Sequence, residues 1–256
     1  MFWKDKVVLL AGASSGIGEG IALALAKEGA ILGLLARREE LLKDLARRCE
    51  NLGGTARILP CDVVNPDAVM LAANSLRDEF GRIDILIANA GIGGTNHETR
   101  DLQPDSVKRV IDINLLGSAY SVAAVLPHML ERRSGHLVAI SSLAGFRGLP
   151  KSAAYSASKA GMTAFFESVR LDVQDKGVAV TIIQPGFIKT PLTSGRESKM
   201  PFLMELDNAI PYFLKAIEKK KKFAAFPWQL ATLVRAGQIF PAWLYDRIAS
   251  RAKYRS

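Results

Sequence analysis

Six short runs of apolar, β-favouring residues are spread through the first two thirds of the chain, at residues 7–11, 30–36, 56–61, 83–88, 136–141 and 178–184. Between them lie longer segments, 16–28, 38–52, 66–80, 104–131 and 153–176, in which apolar residues recur three and four apart. Strands that are apolar on both faces need cover on both faces, and the intervening amphipathic helices can supply it. The pattern predicts an α/β fold, a doubly wound parallel sheet with helices on both faces and its ligand beyond the carboxyl ends of the strands. Gly29, Gly53 and Gly81 each follow a helical run, where a left-handed cap suits glycine, and Pro66 and Pro104 stand at helix starts. After Thr190 the pattern changes to a loop-like stretch, 191–204, and a helical run, 205–222. With no internal repeat or linker, a single domain over 1–256 is expected, comprising a core at 6–190, a lid at 191–222 and a helical tail at 223–256.

Composition narrows the class. Of 256 residues, 49% are hydrophobic and 23% charged, which excludes disordered and fibrous chains. Cys49 and Cys61 are too few for a disulfide framework, and with His97, His128 and His136 they form no metal-type spacing, so no metal is expected. The first apolar run leads into a glycine-rich turn rather than a cleavage site, and no run reaches about 18 uninterrupted apolar residues, so a cytoplasmic protein is expected. The net charge of +9 is unevenly placed. Residues 1–190 hold 22 Lys and Arg against 20 Asp and Glu, whereas 191–256 hold 12 against 5, a net of +7. The tail, with Trp243, Leu244, Ile248 and Ala252 beside Arg247, Arg251 and Lys253, suits either packing on the protein, which is favoured, or peripheral contact with a membrane surface. No recognisable nucleic-acid-binding module is present, and no nucleic-acid partner is expected.

The candidate chemistry begins at Gly12, Ala13, Ser14, Ser15, Gly16, Ile17 and Gly18, joining the first strand to the first helix. Glycines there permit a tight turn, close approach of backbone amides to a pyrophosphate and close helix packing, while the helix amino terminus favours negative charge. An acid that would grip an adenosine ribose in NAD is missing after the second strand. Arg37 and Arg38 follow it instead, and with Ser14 they suit the 2′-phosphate of NADP. Farther on, Tyr155 and Lys159 are four apart in a helical segment and share a face, flanked by the small residues Ser156, Ala157, Ser158, Ala160 and Gly161.

Taken in order, the glycine turn, Asp62-Val63, Asn89-Ala90-Gly91, Asn114, Ser142, Tyr155 with Lys159, and Pro185-Gly186 followed by Ile188 and Thr190 resemble the short-chain dehydrogenase/reductase family, in its compact NADP-preferring ketoreductase branch. The resemblance implies a Rossmann-type fold and an NADP-dependent oxidoreductase acting on a ketone or secondary alcohol. A phenol titrates near 10, and a nearby ammonium favours its anion. On the resemblance, Tyr155 is the acid/base, Lys159 lowers its pKa and holds the nicotinamide ribose, Ser142 binds the substrate oxygen, and Asn114 anchors a water beside the lysine. Asp62 receives the adenine amino group, Asn89 places its loop over the adenosine, and Thr190 meets the carboxamide. Ala11 and Ala88 depart from the usual Thr and Asn, so altered local stability is expected there. Segments 92–98, 143–149 and 187–213, with Leu192, Met200, Phe202, Leu203 and Met204, are expected to wall an apolar pocket for a steroid-like or acyl-chain substrate, although Arg147, Arg196 and Lys199 leave an acidic ligand open. A homodimer or homotetramer through the helices beginning near Pro104 and Ala153 is also implied. The alternative is a membrane-surface or nucleotide-sensing protein with little catalysis.

Overall fold

The computed structural model describes residues 1–93, 102–195 and 200–250. Seven parallel strands form one sheet: β1 (Val7–Ala11), β2 (Ile31–Ala36), β3 (Thr55–Pro60), β4 (Ile85–Ala88), β5 (Gly135–Ile140), β6 (Val178–Pro185) and β7 (Phe223–Phe226), in the order β3-β2-β1-β4-β5-β6-β7. Chain order reverses between β1 and β4, so the loops leaving these two strands diverge and open a crevice at their carboxyl ends.

The helices are α1 (Gly16–Lys27), α2 (Glu39–Asn51), α3 (Pro66–Phe80), α4 (Pro104–Ile111), α5 (Gly117–Glu131), α6 (Ala153–Val173), α7 (Leu206–Glu218), α8 (Trp228–Ile239) and α9 (Ala242–Ala249). Successive residues of β1 enter opposite cores, as the two-residue period of a strand requires. Val8 and Leu10 join Trp3, Leu25, Leu34 and Phe213 on one face, while Val7 and Leu9 join Leu76, Leu137 and Phe166 on the other. Gly33 shows how close this packing is, because a Cβ there would lie 2.5 Å from Leu76 Cδ2. The departures Ala11 and Ala88 are register partners, each about 1% exposed.

Three sequence expectations change. The run 104–131 is interrupted by a π-helical turn, Asp112–Leu116, between α4 and α5. The helical run expected at 205–222 is shorter, because α7 ends at Glu218. Phe223–Phe226, expected to begin a tail, instead extends the sheet as β7, and Phe226 packs edge-on to Phe213 at 5.0 Å and stacks on Tyr212 at 5.1 Å. Residues 104–131 together are long and apolar enough to cross a membrane by length and composition, but Val122, Val125 and Met129 are buried against the sheet core.

Candidate functional site

A continuous cleft of about 1240 Å³ runs over the carboxyl ends of the strands. Its polar end begins at the turn after β1. Gly12 has φ +78°, and a Cβ there would lie 2.6 Å from Ala90 Cα. Gly16 has φ +60° and faces Thr190, while a Cβ on Gly18 would lie 2.1 Å from the Gly12 carbonyl oxygen. Asn89 Nδ2 donates to that same carbonyl at 2.9 Å, so the loop after β4 is tied to the turn after β1. Ser15 occupies the N-cap position of α1 without capping it by its side chain. Its hydroxyl and that of Ser14 each accept from Arg38 Nη2 at 2.9 Å. Helix first-turn amides, two hydroxyls and a guanidinium therefore converge on one spot, a donor set for a phosphate. Arg37 lies 3.7 Å from the Asp62 carboxylate, and both are substantially exposed.

The other half of the cleft floor is built from β5 and α6. Ser141 and Ser142 are adjacent in sequence but point to different partners. Ser141 is buried and donates to the Lys159 carbonyl at 3.0 Å, with Thr163 Oγ1 at 2.8 Å, which locks β5 to α6. Ser142 lines the cleft and its Oγ accepts from the Ala144 amide at 3.1 Å. Lys159 is 4% exposed, and its Nζ donates to the Ile140 carbonyl at 2.8 Å and lies 6.0 Å from the centre of the Tyr155 ring. Neither the carbonyl nor the phenol ring offsets a full charge, and burial lowers the Lys159 pKa from 10.5 to about 8. Asn114 sits in the π-helical turn, accepting from the Ile92 amide at 2.8 Å and donating to the Ile92 carbonyl and Ser158 Oγ, both at 3.0 Å.

Of the residues expected from sequence, Gly12, Ser14, Ser15, Gly16, Ile17, Arg37, Arg38, Asp62, Val63, Asn89, Ala90, Gly91, Ser142, Tyr155, Lys159, Pro185, Gly186, Ile188 and Thr190 all line this cleft. Gly18 and Asn114 stand behind its wall and shape it. Leu192, Met200 and Phe202 line it, but Leu203 and Met204 do not. Met204 instead exchanges backbone hydrogen bonds with Phe187 and Lys189, fastening the lid to the strand end. Arg196, Lys199 and residues 94–98 lie outside the described residues. Arg147 borders the cleft while donating to the carbonyls of Gly237 at 2.6 Å and Phe240 at 3.0 Å. The apolar wall that sequence reasoning missed comes from α8 and α9, through Leu230, Leu233, Val234, Phe240, Tyr245 and Ile248. Its signal was the spacing of Leu230, Val234 and Gly237, which gives α8 an inward face.

The switch-point crevice, glycine turn and anion-binding donor set define a nucleotide-binding α/β protein in which Ser142, Tyr155 and Lys159 lie in a cleft that is also an apolar chamber. The short chain dehydrogenase family model matches residues 6–201, and the chain belongs to this family of oxidoreductases. An uncharacterized oxidoreductase of Myxococcus xanthus is 43% identical over 248 residues, 97% of this chain and 98% of that one. A 3beta-hydroxysteroid dehydrogenase of Mediterraneibacter gnavus is 35% identical over 191 residues, 75% of this chain and 69% of its own. Among solved structures, NAD+-bound xylitol dehydrogenase has a TM-score of 0.81 at 26% identity, covering 88% of this chain and 98% of that one. A metagenomic short-chain oxidoreductase in complex with NADP has a TM-score of 0.75 at 29% identity, covering 88% and 97%. The family binds a nicotinamide cofactor and acts on small molecules.

Proposed function

We propose that this protein transfers a hydride between NADP(H) and a ketone or secondary alcohol of lipophilic, steroid-like or acyl-chain character. The observation that carries the reading is the meeting of Ser142, Tyr155 and Lys159 in one cleft, polar at the glycine turn and apolar at α8 and α9. When bound, the nicotinamide supplies or accepts the hydride. Tyr155 donates the phenolic proton to the carbonyl oxygen during reduction and takes it back during oxidation. Ser142 donates a hydrogen bond to the same oxygen as charge develops on it. The Lys159 ammonium favours the phenolate and holds the nicotinamide ribose, and Asn114 keeps the adjoining Ile92 loop in place.

Arg38, already held against Ser14 and Ser15, supports NADP over NAD. The 3beta-hydroxysteroid dehydrogenase relative and the apolar chamber support a lipophilic substrate. The exposed stripe of Ala157, Ala160 and Ala164 with Leu171 on α6 supports assembly with a second copy.

The test is a panel of aliphatic, steroidal and acyl ketones with NADPH, read as loss of reduced-nicotinamide absorbance, alongside Tyr155→Phe. We expect turnover of an apolar ketone and a fall of about 10² to 10⁴ in kcat for the variant, with NADPH affinity within about twofold by fluorescence titration. Retention of most activity by Tyr155→Phe would remove the proton-donor assignment.

A further inference from the structure

The α8 and α9 helices line the cleft with one face and leave large apolar side chains uncovered on the other. Trp228 is 72% exposed, Ile239 84% and Trp243 68%. On α8 the residues Trp228, Thr232, Arg235 and Ile239 recur at helical spacing as one outer stripe, and on α9 Trp243 and Arg247 are four apart. Beside these faces, Leu233 and Ile248 of the same helices, with Leu192 and Phe202 of the lid, are at once solvent-exposed and part of the cleft wall. Apolar side chains that are exposed around an apolar opening mark a contact surface.

Charge selects the occupant. The two helices carry Arg235 and Arg247 against one acid, Asp246, and residues 251–256, outside the described ones, add Arg251, Lys253 and Arg255 with no acid. A two-fold contact with a second copy would bring this net-basic segment of sequence against itself. An anionic bilayer reverses the sign of that interaction and takes up the indoles at the headgroup level, where amphipathic aromatic rings favour the boundary. We propose that α8 and α9 form a docking surface for an anionic lipid membrane, with Trp228, Ile239 and Trp243 entering the interface and the rim of Leu192, Phe202, Leu233 and Ile248 opening the cleft toward it. Delivery of substrate from the bilayer rests on the lipophilic reading above; the docking itself does not.

The full chain is floated on a density gradient with vesicles of phosphatidylcholine alone or with about one third phosphatidylserine. We expect flotation with the anionic vesicles, weakened by salt, and reduced about tenfold or more in Trp228→Ala/Trp243→Ala and, separately, in Arg235→Glu/Arg247→Glu. Melting temperature and reduction of a water-soluble ketone without vesicles should stay near wild type in the charge variant, which keeps loss of docking distinct from loss of fold or catalysis. Absence of flotation by the wild-type chain overturns the proposal. So does flotation of both variants at the wild-type level, or a smaller assembly on size exclusion for the tryptophan variant with vesicle binding unchanged, since that would assign the face to a second copy.

Discussion

Lys159 brings opposing demands to one atom. In the proposed mechanism a positive charge is useful to the Tyr155 phenol, yet the side chain is buried, and its pKa falls from 10.5 to about 8 for that reason. Below pH 8 both folded and unfolded chains are protonated here, and the fold bears the whole cost of the buried charge. Between pH 8 and 10.5 the unfolded chain holds the extra proton, so this residue makes stability rise with pH, by an amount on the order of 3 kcal/mol. Lys159→Met should therefore raise the stability of the ligand-free protein at pH 7 and abolish its share of that rise, while removing turnover; urea unfolding at pH 7, 8 and 10 checks both. In the proposed function Arg38 selects the cofactor in the same local way. Its hydrogen bonds to Ser14 and Ser15 hold the guanidinium beside the α1 amino terminus before any ligand arrives. A charged hydrogen bond is worth about 1.5–3 kcal/mol, so Arg38→Ala should weaken NADPH binding about tenfold or more and leave NADH within about twofold by calorimetric titration. Both residues line the cleft where the sequence reading expected them, because that expectation depends on residue type at fixed spacing. The separate tasks of Ser141 and Ser142 follow from which face of a strand end each occupies, and two adjacent serines do not declare that.

At the scale of elements, strands buried on both faces announce themselves as unbroken apolar runs, which is why β1 to β6 were readable within a few residues. β7 was not. Its four residues, Phe-Ala-Ala-Phe, carry no β-branched side chain and stand between four lysines and a proline, a context that reads as a surface tail. What makes it a strand is tertiary: pairing with β6, and Phe226 seated on Phe213 and Tyr212. The π-helical turn was hidden for a related reason, since one extra residue in a helical turn leaves the apolar spacing of 104–131 nearly unchanged. The turn nevertheless carries Asn114, whose amide meets both polar groups of the Ile92 backbone. β7 also reaches the site, because the Phe226 carbonyl accepts from the Gly186 amide at 2.8 Å and so fixes the loop after β6. Phe226→Ala should cost about 3–5 kcal/mol and lower the melting temperature on the order of 10 °C by calorimetry. With the Gly186 loop loosened, KM for the ketone should rise more than KM for NADPH.

Across the whole molecule, the polar and apolar ends of the cleft are built from different parts of the sequence. The glycine turn and the β4 loop form one end, and the loop after β5 meets α8 and α9 at the other. Arg147 ties that loop to the two helices, beside the packing of Leu143 and Phe146 on Leu230 and Val234. Its Nη1 bridges the carbonyls of Gly237 and Phe240, where α8 ends, and its guanidinium lies 3.9 Å from the centre of the Tyr245 ring on α9. Tyr245 returns the contact by donating its hydroxyl to the Gly148 carbonyl at 2.6 Å. An arginine that looked from sequence like a candidate for an acidic ligand is thus committed to closing the chamber wall. Hydrogen bonds from a charged donor together with stacking on an aromatic face contribute a few kcal/mol, about the scale that separates a packed helix pair from one that opens locally. Arg147→Ala should speed amide hydrogen exchange in α8 and α9 by about tenfold or more while leaving β1 and α1 unchanged. NADPH affinity should stay within about twofold, and KM for an apolar ketone should rise about tenfold with a smaller change in kcat, because the lost wall serves binding more than proton transfer. An equal loss of NADPH affinity would mean instead that the two ends of the cleft are coupled through β5 and α6, the elements that Ser141 and Lys159 join.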